Sequence, residues 1–157
     1  MQLTQQLVEV LSKVFLRNCY CRINLQNVIA ISTSQKQILS SHAKKQKPNE
    51  CCAILLGHIQ NNKAVVEDVL LTDNVEKSPV NFTISPEQTL QGYMKAQKNN
   101  MEIVGIFHSH PNSEARPSTT DQKYMEINPY VWIIFSGLTN EFKAFVLETK
   151  IVEIPIV

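Results

Sequence analysis

His108 and His110 are separated by one serine, and on a strand alternate side chains share a face, so this pair can converge on one ion. Hydrolytic zinc sites take three protein ligands at about 2.0 to 2.2 Å and keep a fourth position for water. Asp121 is the best candidate for the third ligand. The segment from Pro111 to Pro117 is long enough to fold back, and Asp121 falls in the first turn of the helix expected after it. A hydrolase of this kind also needs a proton carrier that does not bind the metal. Glu50, just ahead of an apolar run that begins at Cys52, is the candidate, although spacing alone does not bring it to the histidines.

Each part has an ordinary explanation when taken alone. Two histidines at a strand end are more often a surface or core feature than a metal site. Ser118 followed three residues later by Asp121 is a helix-capping signature, and a lone Glu50 after Pro48 reads as a solvated residue. Cys19 and Cys21 lack the second Cys-x-x-Cys half or nearby histidines that structural zinc sites use, so they read as ordinary thiols. Cys51 and Cys52 open a core strand, where alternation sends one inward and the other outward. No spacing links His42 or His58 to the site. It is the combination of Glu50, His108, His110, Ser118 and Asp121 that points to hydrolysis.

The elements that must position these residues follow from periodicity. Leu3, Leu7, Leu11, Val14 and Phe15 predict an amphipathic helix over 3–15. Residues 28–32 predict a short strand, and Ser34 with Gln37 a capping box that opens a helix of roughly ten residues ending before Pro48. Two antiparallel strands are expected over 52–59 and 64–72, and a shorter one over 81–84. Ser85, Pro86 and Gln88 then supply an N-cap, a first-turn proline and a capping-box partner for a helix reaching about Lys98. Residues 101–108 read as a buried strand, 109–117 as an irregular loop and 118–125 as a short helix. Strands over 130–136, 141–148 and 151–156 complete the chain. Helices inserted among mainly hairpin-connected strands indicate α+β or three-layer α/β/α packing, not a doubly wound parallel sheet.

Composition narrows the classes. A chain of this length with 43 % apolar and 18 % charged residues suits one domain with a substantial core. Fifteen basic against fourteen acidic residues leave a net charge of +1, which supplies no field for a nucleic-acid backbone or an anionic membrane. The short apolar runs and the absence of a secretory signature predict a soluble, intracellular protein. Four cysteines in two tight groups, not spread as staples, fit a reduced cytoplasm.

The upstream Glu50 in Asn-Glu-Cys-Cys-Ala-Ile-Leu-Leu-Gly, the quartet His108-Ser109-His110-Pro111, then Ser118 and Asp121 resemble the pattern of the JAMM, or MPN-type, metalloprotease family. The likeness includes the strand from Ile103 to Phe107 and covers residues 28–157. Residues 1–27 have no counterpart in it and are read as an N-terminal helical extension. Ala53 stands where related bacterial sequences often carry glycine. The resemblance implies an MPN/JAB-like, cytidine-deaminase-like fold with a mainly antiparallel or mixed curved sheet flanked by helices. It implies one zinc ion on His108, His110 and Asp121, Glu50 as general base and acid, and Ser118 as a donor to the oxyanion. No segment is long enough to be the ubiquitin-gripping insertion of eukaryotic deubiquitinases. The likeness is therefore to stand-alone bacterial and archaeal members, associated with small ubiquitin-like or sulfur-carrier proteins. The expected activity is hydrolysis of an amide or isopeptide bond at the C-terminal tail of such a protein, held extended against a strand edge beside the metal. A non-catalytic scaffold of the same fold, or a peptidase on cell-wall or cysteine-capped small-protein substrates, are the alternatives.

Overall fold

Two apolar runs set the architecture: residues 52–57 and 131–136 are buried at every position, so the sheet that contains them is covered on both faces. The computed structural model describes residues 26–157; the helix expected over 3–15, and Cys19 and Cys21, lie outside the described residues. The strands are β1 (Val28–Ala30), β2 (Cys52–Gln60), β3 (Lys63–Thr72), β4 (Glu102–His110), β5 (Val131–Ser136), β6 (Phe142–Leu147) and β7 (Ile151–Ile154). The described helices are α1 (Thr33–Gln46), α2 (Pro86–Lys98) and α3 (Thr119–Ile127). One mixed seven-stranded sheet has the order β1-β3-β2-β4-β5-β6-β7. β1 with β3 and β4 with β5 are parallel, and the other neighbours are antiparallel.

Residue parity divides the core. Leu39 and Ala43 of α1 share a cluster with Cys51, Ala53, Leu55, Phe107, Ile133 and Phe135. On the other face Ala96 of α2 packs with Ile54 and Leu56, and Met125 of α3 packs with Cys52, Trp132 and Ile134. The result is the expected three-layer α/β/α arrangement. Even-numbered His108 and His110 thus belong to the face that carries α2 and α3. Cys51 and Cys52 do alternate across the sheet, but both are buried because both faces are covered; neither is an outward thiol. Ala53 is fully buried against the α1 layer.

Several boundaries differ from the sequence reading. The cap of α1 is Ser32 with Gln35, two residues ahead of the expected pair: Ser32 has the extended backbone of a residue leaving β1, and both halves of its capping box form. Ser85 caps α2 through the Gln88 N–H as expected, but the Gln88 amide turns to the backbone of Asp73 and does not reach back. Residues 81–84 form no strand, because their backbone groups bond Asn74 and Val75. β4 runs two residues beyond the expected end, through Ser109 to His110, because β5 pairs it in parallel as far as His110 with Ser136. Beyond β7, the N–H groups of Ile29 and Ile31 bond the carbonyls of Pro155 and Val157, and the Val157 N–H bonds Ile29, so residues 155–157 line the outer side of β1.

Candidate metal centre

His108 and His110 occupy the C-terminal end of β4, between β5 on one side and residues 51–52 on the other. Their Nε2 atoms stand 3.0 Å apart. Asp121, in the first turn of α3, places Oδ1 3.3 Å from the His108 Nε2 and Oδ2 3.4 Å from the His110 Nε2. Three ligands at about 2.0 to 2.1 Å from a tetrahedral ion lie roughly 3.3 to 3.4 Å from one another, which these spacings approach. The three side chains are buried and form the cluster suited to a metal among the described residues. Two imidazole nitrogens and a carboxylate oxygen are the donor set of a borderline divalent ion.

Local structure explains why the three meet. Asp121 is the third helical residue of α3 and the partner of its N-cap: Ser118 Oγ accepts the Asp121 N–H at 3.1 Å, and Asp121 Oδ2 accepts the Ser118 N–H at 2.7 Å. The capping box thus aims the carboxylate, and capping and ligation coexist. His110 is oriented by its other ring nitrogen, which donates from Nδ1 to the Glu114 carbonyl at 2.9 Å. That carbonyl belongs to a loop fixed by buried Ser136, whose hydroxyl donates to the Ser113 carbonyl at 2.7 Å and accepts from the N–H groups of Leu138 and Thr139. His108 is held by rings: Phe82 stacks on it with centroids 4.6 Å apart, and Trp132 meets it edge-on at 5.8 Å. Its Nδ1 is buried without a hydrogen-bond partner among the described residues.

Glu50 reaches the same place from a remote segment. Its Oε1 is 3.8 Å from the His110 Nε2, and its side chain is buried. The approach is set by a reciprocal pair between remote segments: Cys51 N–H donates to Ser109 Oγ at 3.0 Å, and Ser109 N–H donates to the Cys51 carbonyl at 3.0 Å. Ser109, expected in the irregular loop over 109–117, is instead a clasp inside the extended β4. All five candidate residues therefore gather at one end of the sheet. His42 and His58 are elsewhere; His42 bonds the Thr72 carbonyl, and His58 bonds Glu67 and the Asn100 carbonyl.

Burial and charge divide the titrations. Burial pushes the Glu50 carboxyl up to about 7; His110 opposes this, while Asp121 and Glu76 add to it. Burial also acts to raise Asp121, but hydrogen bonds with both imidazoles outweigh it and hold this carboxyl well below the usual range. His108 is driven below its ordinary value by complete burial, which favours the neutral ring a ligand must present. In His110 burial is overcome by Asp121, the Glu114 carbonyl and Glu50, and the value rises. Burial carries the thiols of Cys51 and Cys52 up to about 12 and about 11, so neither is a nucleophile.

The sequence reading missed Phe82, which stacks on His108; Ser136, which fixes the loop of Glu114; and Asn74, whose Nδ2 donates to the Glu50 carbonyl. A buried aromatic and a serine ending a strand carry no spacing signal, and only the fold brings them here. β4 itself is paired on both sides and offers no free edge.

The family described as prokaryotic homologs of the JAB domain matches residues 32–148. The chain is 36 % identical over 110 residues to the desampylase of Pyrococcus furiosus, covering 69 % of this chain and 75 % of that protein. It is 28 % identical over 96 residues to the CysO-cysteine peptidase of Mycobacterium tuberculosis, covering 61 % and 64 %. A solution structure of a Desulfitobacterium hafniense protein superposes with a TM-score of 0.75 at 29 % identity, covering 82 % of this chain and 91 % of the other. No described helix is long and apolar enough to cross a membrane. With its residues in the JAMM pattern and three quarters of its length matched, the chain belongs to the prokaryotic homologs of the JAB domain.

Proposed function

We propose that the protein is a zinc-dependent isopeptidase or peptidase that hydrolyses an amide bond at the C-terminal tail of a small ubiquitin-like or sulfur-carrier protein. The observation that carries this reading is the meeting of two imidazole nitrogens and one carboxylate within 3.0 to 3.4 Å, beside a buried second carboxyl. The relatives named desampylase and CysO-cysteine peptidase support the substrate class. Residues 28–157 form the catalytic domain in this reading, residues 1–27 an N-terminal extension, and the protein works in the cytoplasm.

His108, His110 and Asp121 would hold one zinc ion, which when bound lowers the pKa of water to about 7 and polarises a carbonyl. Glu50 takes the proton of the attacking water at its carboxylate and returns it to the nitrogen of the leaving amine. A value near neutrality suits both halves of that transfer. Ser118 caps α3 through a lone pair of Oγ, which leaves its hydroxyl hydrogen to donate to the oxygen of the scissile carbonyl. Asp121 remains ionised, and the Glu114 carbonyl keeps the His110 proton on Nδ1, so that Nε2 presents its lone pair to the ion.

The test is cleavage of a ubiquitin-like protein fused through its C-terminal glycine to a reporter amine, with metal analysis of the same preparations. Wild-type protein should carry about one zinc per chain, and Glu50→Gln should keep the metal while losing roughly 10²- to 10⁴-fold in rate. Equal rates in the two proteins would remove Glu50 from the chemistry. Protein that takes up no zinc would remove the mechanism altogether.

A further inference from the structure

Glu50 lies just outside β2, so no sheet ladder fixes its own backbone. What holds it is the segment after β3. The Glu50 N–H donates to the Ser78 carbonyl at 2.8 Å, and the Glu50 carbonyl accepts from Asn74 Nδ2 at 3.1 Å. The same Nδ2 also donates to the Asn81 carbonyl at 2.9 Å, while Asn74 Oδ1 accepts the N–H groups of Glu76 and Thr83, each at 3.1 Å. One side-chain amide thus closes the loop from 74 to 83 and ties it to the residue that carries the buried carboxyl. Among side chains of this length only asparagine supplies both two donor hydrogens and an acceptor oxygen. Aspartate retains the acceptor and loses the donors.

We infer that Asn74 is a positioning residue that sets the Glu50 carboxyl against the metal site by gripping its backbone from the 74–83 loop. The inference rests on the reading of Glu50 as proton carrier. Cys51, held by Ser109, fixes Glu50 from one side, and Asn74 with Ser78 fixes it from the other. Releasing the second anchor lets the carboxyl drift from the reacting atoms, and a displacement of about 1 Å is worth on the order of 10²-fold in rate.

Asn74→Ala removes all four bonds; Asn74→Asp keeps the two accepted from Glu76 and Thr83 and loses the two donated, to Glu50 and to Asn81. Both variants are made in the wild-type protein and in Glu50→Gln, and cleavage is followed with the fusion substrate under saturating and single-turnover conditions. In the wild-type background, kcat should fall by roughly 10- to 100-fold, with KM within about twofold and zinc content unchanged. In the Glu50→Gln background the same changes should alter the residual rate by less than about twofold, because the group they position is already gone. A second readout is independent of turnover: in Asn74→Ala, which opens the loop whose Ser78 carbonyl accepts the Glu50 N–H, amide exchange at Glu50 should quicken by at least about tenfold. An equal loss in both backgrounds, an undiminished kcat, or a global loss of fold in both variants overturns the assignment. Wild-type turnover in Glu50→Gln sinks the proton-carrier reading itself; slow Glu50→Gln beside fully active Asn74→Asp sinks only the positioning role.

Discussion

At the scale of single residues, the centre is made of side chains with two tasks each. Asp121 faces two imidazoles and completes the cap of its own helix; Ser118 accepts the Asp121 N–H and retains a hydroxyl hydrogen. The two tasks of Ser118 separate by experiment. As a cap alone, Ser118→Ala should cost about 0.5 to 2 kcal/mol of stability and leave turnover of the folded protein nearly intact. Acting also on the carbonyl oxygen, it should lose on the order of 10²- to 10³-fold in kcat. We expect both losses, read by denaturant melts and saturating kinetics on one preparation; a stability loss by itself would leave Ser118 as a cap.

At the scale of elements, the ends of strands do the positioning. β4 carries both histidines, β5 extends its pairing to His110, and the turn after β5 comes back against His110 and the loop that follows it. Gly137 N–H donates to the His110 carbonyl at 2.8 Å, and a methyl group at Gly137 would stand 2.6 Å from the Pro111 carbonyl oxygen and 3.1 Å from the Lys47 side chain. The lysine tip can swing away, whereas the backbone carbonyl cannot move without shifting the segment that orients His110. Gly137→Ala should therefore weaken metal retention and turnover together, by roughly tenfold or more in a competitive chelator titration. Wild-type retention would mean that the loop relaxes without touching the ligand. A similar close approach occurs at Gly57, where an added carbon would meet the Val65 carbonyl oxygen at 1.8 Å, next to the shift in the pairing of β2 with β3.

At the scale of the whole molecule, stability and pH are linked through the buried acid. Glu50 is raised from an ordinary value of 4.5 to about 7, so the metal-free folded protein keeps a proton that the unfolded chain has released. Its contribution is full below about pH 4.5 and is lost as pH rises through about 7. Asp121 is depressed, so its contribution is complete above its ordinary 3.8 and does not vary across that window. His108 and His110 shift in opposite directions from 6.5 and do vary, which is why a difference is the useful quantity. In chelated protein, wild type should lose stability relative to Glu50→Gln between about pH 4.5 and 7, measured by urea melts at a series of pH values. Parallel curves across that range would show that Glu50 titrates normally.

The local signals were sound wherever the information is local. The two apolar runs, the proline at the start of α2 and the Ser118-Asp121 pair each state a period or a cap within a few residues, and the elements follow. Ser32 and Ser34 show the limit: both head a Ser-x-x-Gln, and the choice depended on where β1 ended. Residues 81–84 have strand composition but no strand neighbour, because Asn74 and Val75 take their backbone bonds. One of Cys51 and Cys52 was expected to face outward, but α1 covers the side of Cys51 and α3 that of Cys52.

By itself the sequence determined the chemical types at the centre, the shared face of His108 and His110, and the helical turn that presents Asp121, since strand alternation and helix capping act over two or three residues. Only the tertiary structure decided that Glu50 stands beside His110, that Phe82 roofs His108 and that Asn74 grips the backbone of Glu50. Those meetings depend on the register between β2 and β4 and on a loop closed by side-chain hydrogen bonds. Both are chosen by packing across the two faces of the sheet, between segments too far apart in the chain for any local spacing to report.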